Sequence, residues 1–309
     1  MKTDSYSSSQ ESIKQDIKTI TDDFLAEVEG VQYGEHWAAA IASLLLPLGR
    51  KSHVRDVLLA VADQSNHGIW LSRFAQLMCD YGYLNDSEWL VDRARKIKDI
   101  PWFTELNLAV TDYMIGRGDY SRDVLARYTE NLGLDEVKAQ VIAKVALRIG
   151  ELDIFRSFCE GLEESGHVDI TRLTIKSVMY AAPYLPKDDF LYLVEALSSR
   201  LRDLPEDGKL TQNYAALLIR AGRVEEGEAL MRPLVENIWD SYFSLAGTGS
   251  LLYWCRCDDW AESCLERSLA LRPGNHLHLY FVGYVQMMAG KWLKATENLS
   301  YAATLQPNV

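Results

Sequence analysis

The sequence predicts an all-α chain of about eight helix-turn-helix units with a period near 34 residues. Glycines that read as helix stops recur at Gly49, Gly82, Gly118, Gly150, Gly222 and Gly290, at gaps of 33, 36, 32, 72 and 68 residues. The last two gaps are close to twice 34, which puts the missing stops near Leu185, where Pro186 follows, and near Arg256. Between the stops, apolar residues keep helical spacing, as in Leu210, Tyr214, Leu217 and Leu218, and no stretch alternates long enough to compete as a strand.

These signals place first helices at about 35–48, 67–81, 101–116, 134–149, 168–184, 208–221, 240–255 and 275–289. Their partners fall at about 51–64, 85–98, 120–132, 152–165, 187–203, 224–237, 258–271 and 292–306. Glycine suits the left-handed turn that ends one helix before the next begins. Asp or Asn often follows, as in Gly118-Asp119 and in Asn85-Asp86 after Gly82, and is expected to cap the second helix. Residues 1–9 form a serine-rich, frayed start. Residues 10–29 read as an amphipathic helix with Ile13, Ile17, Ile20, Phe24, Leu25 and Val28 on one face, expected to cover the open end of the first repeat. Pro183 and Pro186 mark a bend or subdomain boundary that separates repeats at 35–185 from those at 186–309.

Acids outnumber bases, 44 to 32, and no Lys/Arg cluster appears, which argues against a nucleic-acid partner. The start MKTDSYSSSQ lacks the apolar core of a signal peptide, and no apolar run is long enough to span a bilayer. The five cysteines are an odd number scattered through helical sequence and read as reduced thiols, so a cytoplasmic protein without a membrane partner is expected.

The final units carry the most detail. Thr211, Tyr214-Ala215, Leu218, Gly227, Met231 and Leu234 are followed at 34-residue intervals by Leu245, Thr248-Gly249, Leu252, Ala261, Leu265 and Ser268. Leu279, Val282-Gly283, Gln286, Ala295, Leu299 and Ala302 come next, with Pro273 and Pro307 closing two of the units. Small residues sit where paired helices approach closely, and large ones fill the space between. This pattern resembles the tetratricopeptide repeat, strongly over 208–309 and periodically over 35–207. Gln286 stands where an aromatic is usual, and Asp123 and Phe155 where alanine is usual. The resemblance implies a right-handed superhelical solenoid whose concave face, lined by first helices, holds a peptide or partner segment without catalysis.

No Gly-rich phosphate loop, HExxH or GxSxG occurs, so no enzyme activity and no cofactor are expected. Cys255, Cys257 and Cys264 with His276 and His278 lack paired zinc-ligand spacing and read as structural residues. Arg117-Gly118-Asp119 coincides with a turn, and the Asn298 and Asn85 acceptor triplets are read as accidental. His36, His53, His67 and His167 read as caps or surface residues, and the eight tryptophans mostly as core knobs.

The repeat register turns Arg73, Gln76, Lys144, Arg148, Lys176, Gln212, Asn213 and Arg220 inward, with Lys209 beside them and Tyr253, Trp254, Tyr280 and Tyr284 at the C-terminal end. Basic and amide groups there suit a partner with carboxylate or acidic groups, and the aromatic end suits apolar side chains. A non-enzymatic adaptor is the leading expectation. The rival is an accessory subunit, or the repeat region of a larger enzyme such as a bacterial glycosyltransferase or sulfotransferase. The last repeat has no cap after it, and Leu293, Tyr301 and Leu305 suggest dimer packing through that end.

Overall fold

The computed structural model describes residues 38, 39, 42, 51–130, 135–166, 168–201, 207–238 and 240–305. The 10–29 helix, nearly all of the 35–48 helix, His36, the His53 side chain, His167, Trp37, Trp239 and Pro307 lie outside the described residues. Every regular element among the described residues is an α-helix. The described residues fall into two compact units, one within 38–201 and the other within 207–305.

In the first unit the helices are α1 (Lys51–Gln64), α2 (Gly68–Tyr81), α3 (Leu84–Arg95), α4 (Trp102–Met114), α5 (Gly118–Thr129), α6 (Glu136–Arg148), α7 (Leu152–Ser165), α8 (Ile170–Ala181) and α9 (Lys187–Arg200). The second contains α10 (Gly208–Arg220), α11 (Val224–Asn237), α12 (Tyr242–Trp254), α13 (Asp258–Leu271), α14 (His276–Met288) and α15 (Trp292–Leu305). Each first helix packs on its partner as a hairpin. First helices also pack in series, α2 on α4, α4 on α6 and α6 on α8 in one unit, α10 on α12 and α12 on α14 in the other.

The 34-residue register is stricter than the glycines suggest. Left-handed stops occur at Gly82, Gly116 and Gly150, and at Gly222, Arg256 and Gly290. The stop expected at Gly118 is two residues earlier, because Gly118 already opens α5. With Gly116 in that role, Ser121 and not Asp123 occupies the small-residue position, while Phe155 still stands at that position after Gly150. Each stop closes with the same bond, in which the residue after it donates to a carbonyl five residues back. Tyr83 N to Met78 O (2.8 Å), Arg117 N to Asp112 O (2.7 Å) and Arg223 N to Leu218 O (2.9 Å) are three of six. Arg256 alone does this without glycine, and the left-handed region strains a side-chain-bearing residue. Arg256→Gly should therefore raise stability by about 1 kcal/mol, read as a higher urea midpoint.

The caps also differ from expectation. Asp135, Asp169, Asp207, Ser241 and Asn275 cap first helices, accepting from amides such as Lys138 N at 2.9 Å and His278 N at 3.0 Å. Second helices that follow the stops start at Tyr83, Arg117, Glu151, Arg223 and Cys257 without side-chain caps. Their acids, Asp86, Asp119, Asp153, Glu225 and Asp258, sit in the first turn, where the helix dipole favours negative charge.

Hairpins close where a carbonyl of the first helix meets a small residue twelve positions later. The hydroxyls of Ser87 and Ser121 donate to the carbonyls of Ala75 (2.8 Å) and Ala109 (2.7 Å). At Gly227 a Cβ would lie 2.6 Å from the Ala215 oxygen. Leucine, alanine and methionine fill the gaps between helices, among them Leu71, Met78, Leu106, Leu147, Leu217 and Leu265. The tryptophans among the described residues do not. Trp70, Trp102, Trp254, Trp260 and Trp292 are half-buried, and Trp89 is exposed beneath Arg93, 5.4 Å from its guanidinium. Indoles hold an apolar body against the helices while the N–H reaches water.

Candidate functional site

In the second unit, three first helices in one register present a common face. Lys209, Asn213, Ala216 and Arg220 on α10 have Phe243, Gly247, Ser250 and Trp254 as their counterparts on α12, with Ala216 and the flanking Ala246 buried in the floor of the face. Leu277, Phe281, Tyr284 and Met288 continue the columns on α14, and Gln212, Ala246 and Tyr280 flank them. The opposite faces, with Tyr214, Leu252 and Val282, are buried in the hairpins. The α10 end is polar and the α14 end apolar. Phe243 is 75% exposed and Leu277 63%, and Phe281, Tyr280 and Met288 are exposed as well. No position of this face carries a carboxylate.

Most residues expected here lie on this face. Arg220 is exposed, donates to the Trp254 carbonyl at 3.2 Å and stacks 4.7 Å above the indole. Gln212 accepts from the Thr248 hydroxyl at 3.4 Å, and Asn213 is half-buried. Tyr280 is exposed and Tyr284 half-buried. Tyr253 does not present itself. It is buried, its hydroxyl donates to the Glu262 carboxylate, and burial pushes its pKa up. The register explains the difference, since Trp254 is the counterpart of Arg220 and Tyr253 points a helical step away. Phe243, Leu277, Phe281 and Met288 were not singled out from sequence. Their signal is the 34-residue spacing of large apolar residues at a face position, Phe243 to Leu277 and Trp254 to Met288.

In the first unit the expected basic residues are held by partners. Arg73 donates to Gln76 at 3.3 Å, and Lys176 is 3.8 Å from Glu136. The Lys144 ammonium lies 5.2 Å from the Tyr180 ring centre, with its pKa lowered by burial and then by Lys176. Arg148 is buried, 3.2 Å over the Tyr184 ring and 3.9 Å from Asp80, so it is no open anion site. Burial raises the pKa of Asp80 against the pull of Arg148.

A second cluster in this unit was not foreseen. Asp112 falls at the register position of Met78, Ala146 and Leu218, all core residues, and is fully buried. Its Oδ2 accepts from Arg95, while Oδ1 lies 3.7 Å from Arg117 with no hydrogen-bond partner. Arg117 is anchored by Asp92 at 2.7 Å and by Glu88, and Arg95 stacks 3.9 Å over Tyr120. Burial pushes Asp112 up to about 6, against the opposing charges of Arg95 and Arg117. The cluster is a partly exposed ion-pair network built on one fully buried carboxylate.

Among the described residues no group of three or more His, Cys, Asp or Glu is placed to hold a metal ion. Cys255 and Cys264 are buried, and burial raises these thiols to about 12 and about 11. His278 is also buried, bonded to Ser268 at 3.1 Å and edge-on to Tyr242. No helix among the described residues is long and apolar enough to cross a membrane. No protein-family model matches this chain, and no curated protein matches it in sequence.

Proposed function

We propose that this chain is a non-catalytic scaffold of the tetratricopeptide type, a right-handed superhelical array that binds a partner's peptide segment on its first-helix face. The observation that carries the reading is the uncovered face of α10, α12 and α14, with Phe243 and Leu277 exposed and Lys209 and Arg220 at its polar end. Aromatic and aliphatic side chains left in water at helical spacing gain most by receiving apolar anchors. The two basic residues favour a segment that carries carboxylates beside those anchors. The binding region is the second unit. In the first, Lys144, Arg148 and Lys176 are engaged with neighbouring elements, and Arg73 pairs with Gln76 on its own helix.

Display of random 20-residue peptides against the full chain, at low salt, tests this reading. Enriched peptides are expected to combine apolar residues at helical spacing with Asp or Glu. The double variant Phe243→Ala/Tyr284→Ala should weaken them by about 100-fold, the effect of losing central aromatic anchors, at an unchanged melting temperature. Equal affinity for the variant, or no enrichment, overturns it.

A further inference from the structure

We propose that residues 10–29 of the same chain occupy the exposed face of α10, α12 and α14, so that the protein carries its own competing ligand. This rests on reading that face as a peptide-binding surface. The face asks for a segment with an apolar stripe and carboxylates, because it is apolar over α12 and α14, bears Lys209 and Arg220 on α10, and has no acid. The 10–29 segment meets both demands. Ile13, Ile17, Ile20, Phe24 and Val28 recur at helical spacing, and its acids, Glu11, Asp16, Asp22, Asp23, Glu27 and Glu29, outnumber Lys14 and Lys18.

Size agrees as well. As a helix the segment is about 30 Å long, and three packed first helices at about 10 Å spacing span a little less. A tethered segment competes at an effective concentration of about millimolar, so a partner must outbid it and binding becomes conditional. The sequence-based expectation that this helix covers the first repeat is the competing assignment.

The test uses the full chain and a fluorescein-labelled synthetic peptide of residues 10–29. Ile17→Asp/Phe24→Asp disables the internal segment. The labelled peptide should bind this variant about 10-fold or more tighter than the wild type. A photo-crosslinker in place of Leu277 in the otherwise wild-type chain should capture residues 10–29 of the same molecule, at a yield independent of concentration. Because substitutions in the segment could disturb folding, Phe243→Asp, at an exposed position, provides the second arm and should speed amide exchange across 10–29.

Equal peptide binding to variant and wild type overturns self-occupancy, and so does capture of another segment or of a second copy. In either case peptides selected by display would still bind at Phe243, and the scaffold reading would stand. If neither the labelled peptide nor any selected peptide binds, both fail together.

Discussion

Gly227→Ala is expected to destabilise the second unit by about 2 kcal/mol, although the same change in an open helix stabilises. Alanine in a helix interior is favoured over glycine by about 1 kcal/mol. At Gly227 the added Cβ would stand 2.5 Å from Ile219 Cγ1 and 2.6 Å from the Ala215 carbonyl oxygen. The carbonyl belongs to the α10 backbone and cannot rotate away, so α10 and α11 must separate, and forced overpacking of this kind costs about 1–3 kcal/mol. Gly247 supplies the control. It lies mid-helix in α12 with nothing within 4 Å of its Cβ position. Gly247→Ala should therefore gain about 0.5–1 kcal/mol. Urea denaturation of both variants, with amide exchange locating the loss to α10 and α11, decides the matter. A Gly227→Ala protein as stable as Gly247→Ala would show that the hairpins are not held at this distance.

The second large effect is on pH. Asp112 is raised in the folded chain to about 6 from an ordinary value near 3.8, chiefly by burial. A folded-state pKa above the unfolded one means that the native state binds the proton more tightly. Its contribution to stability is thus fully present below about pH 4 and is lost as pH rises through about 6. The shift corresponds to about 2–3 kcal/mol across that window. Asp92 works in the opposite sense. The Arg117 hydrogen bond holds it below its ordinary value, so its contribution is present above 3.8 and lost as pH falls through the lower folded value. The two windows barely overlap. Subtracting the pH–stability curve of Asp112→Asn from that of the wild type should leave a slope confined to about pH 4–6. A flat difference would mean that Arg95 and Arg117 offset the burial of the carboxylate completely.

Asp112 also shows what reading the chain as a pattern misses. The periodicity expects an apolar residue at its register position, and an acid there looks like drift. Only packing reveals that Arg95 and Arg117 arrive from neighbouring elements to meet it. Gly118 illustrates a second kind of miss. Chosen as a stop because it is a glycine, it lies two residues past Gly116, which has the left-handed backbone. The caps at Asp135, Asp169, Asp207, Ser241 and Asn275 would have corrected the register, since their spacing does not depend on which glycine is chosen.

The candidate face divides in the same way. Lys209, Arg220, Trp254, Tyr280 and Tyr284 were legible because the 34-residue register carries one helix position to the next. Phe243 and Leu277 were passed over because an isolated large apolar residue is more often core, and exposure is a property of neighbours. Arg148 and Tyr253 were legible as positions but not as partners.

The all-helical class, the hairpin spacing and the boundaries of nearly every described helix are legible in the amino-acid sequence. Those depend on contacts within a few turns of the chain: helical spacing, left-handed stops and capping side chains. Which cations remain open, which carboxylate is buried and which aromatics face water emerge only from the packing of the helices. Those depend on which groups packed helices bring together, from 17 residues apart for Asp112 and Arg95 to 34 for Arg220 and Trp254, and local pattern does not say what a side chain will meet.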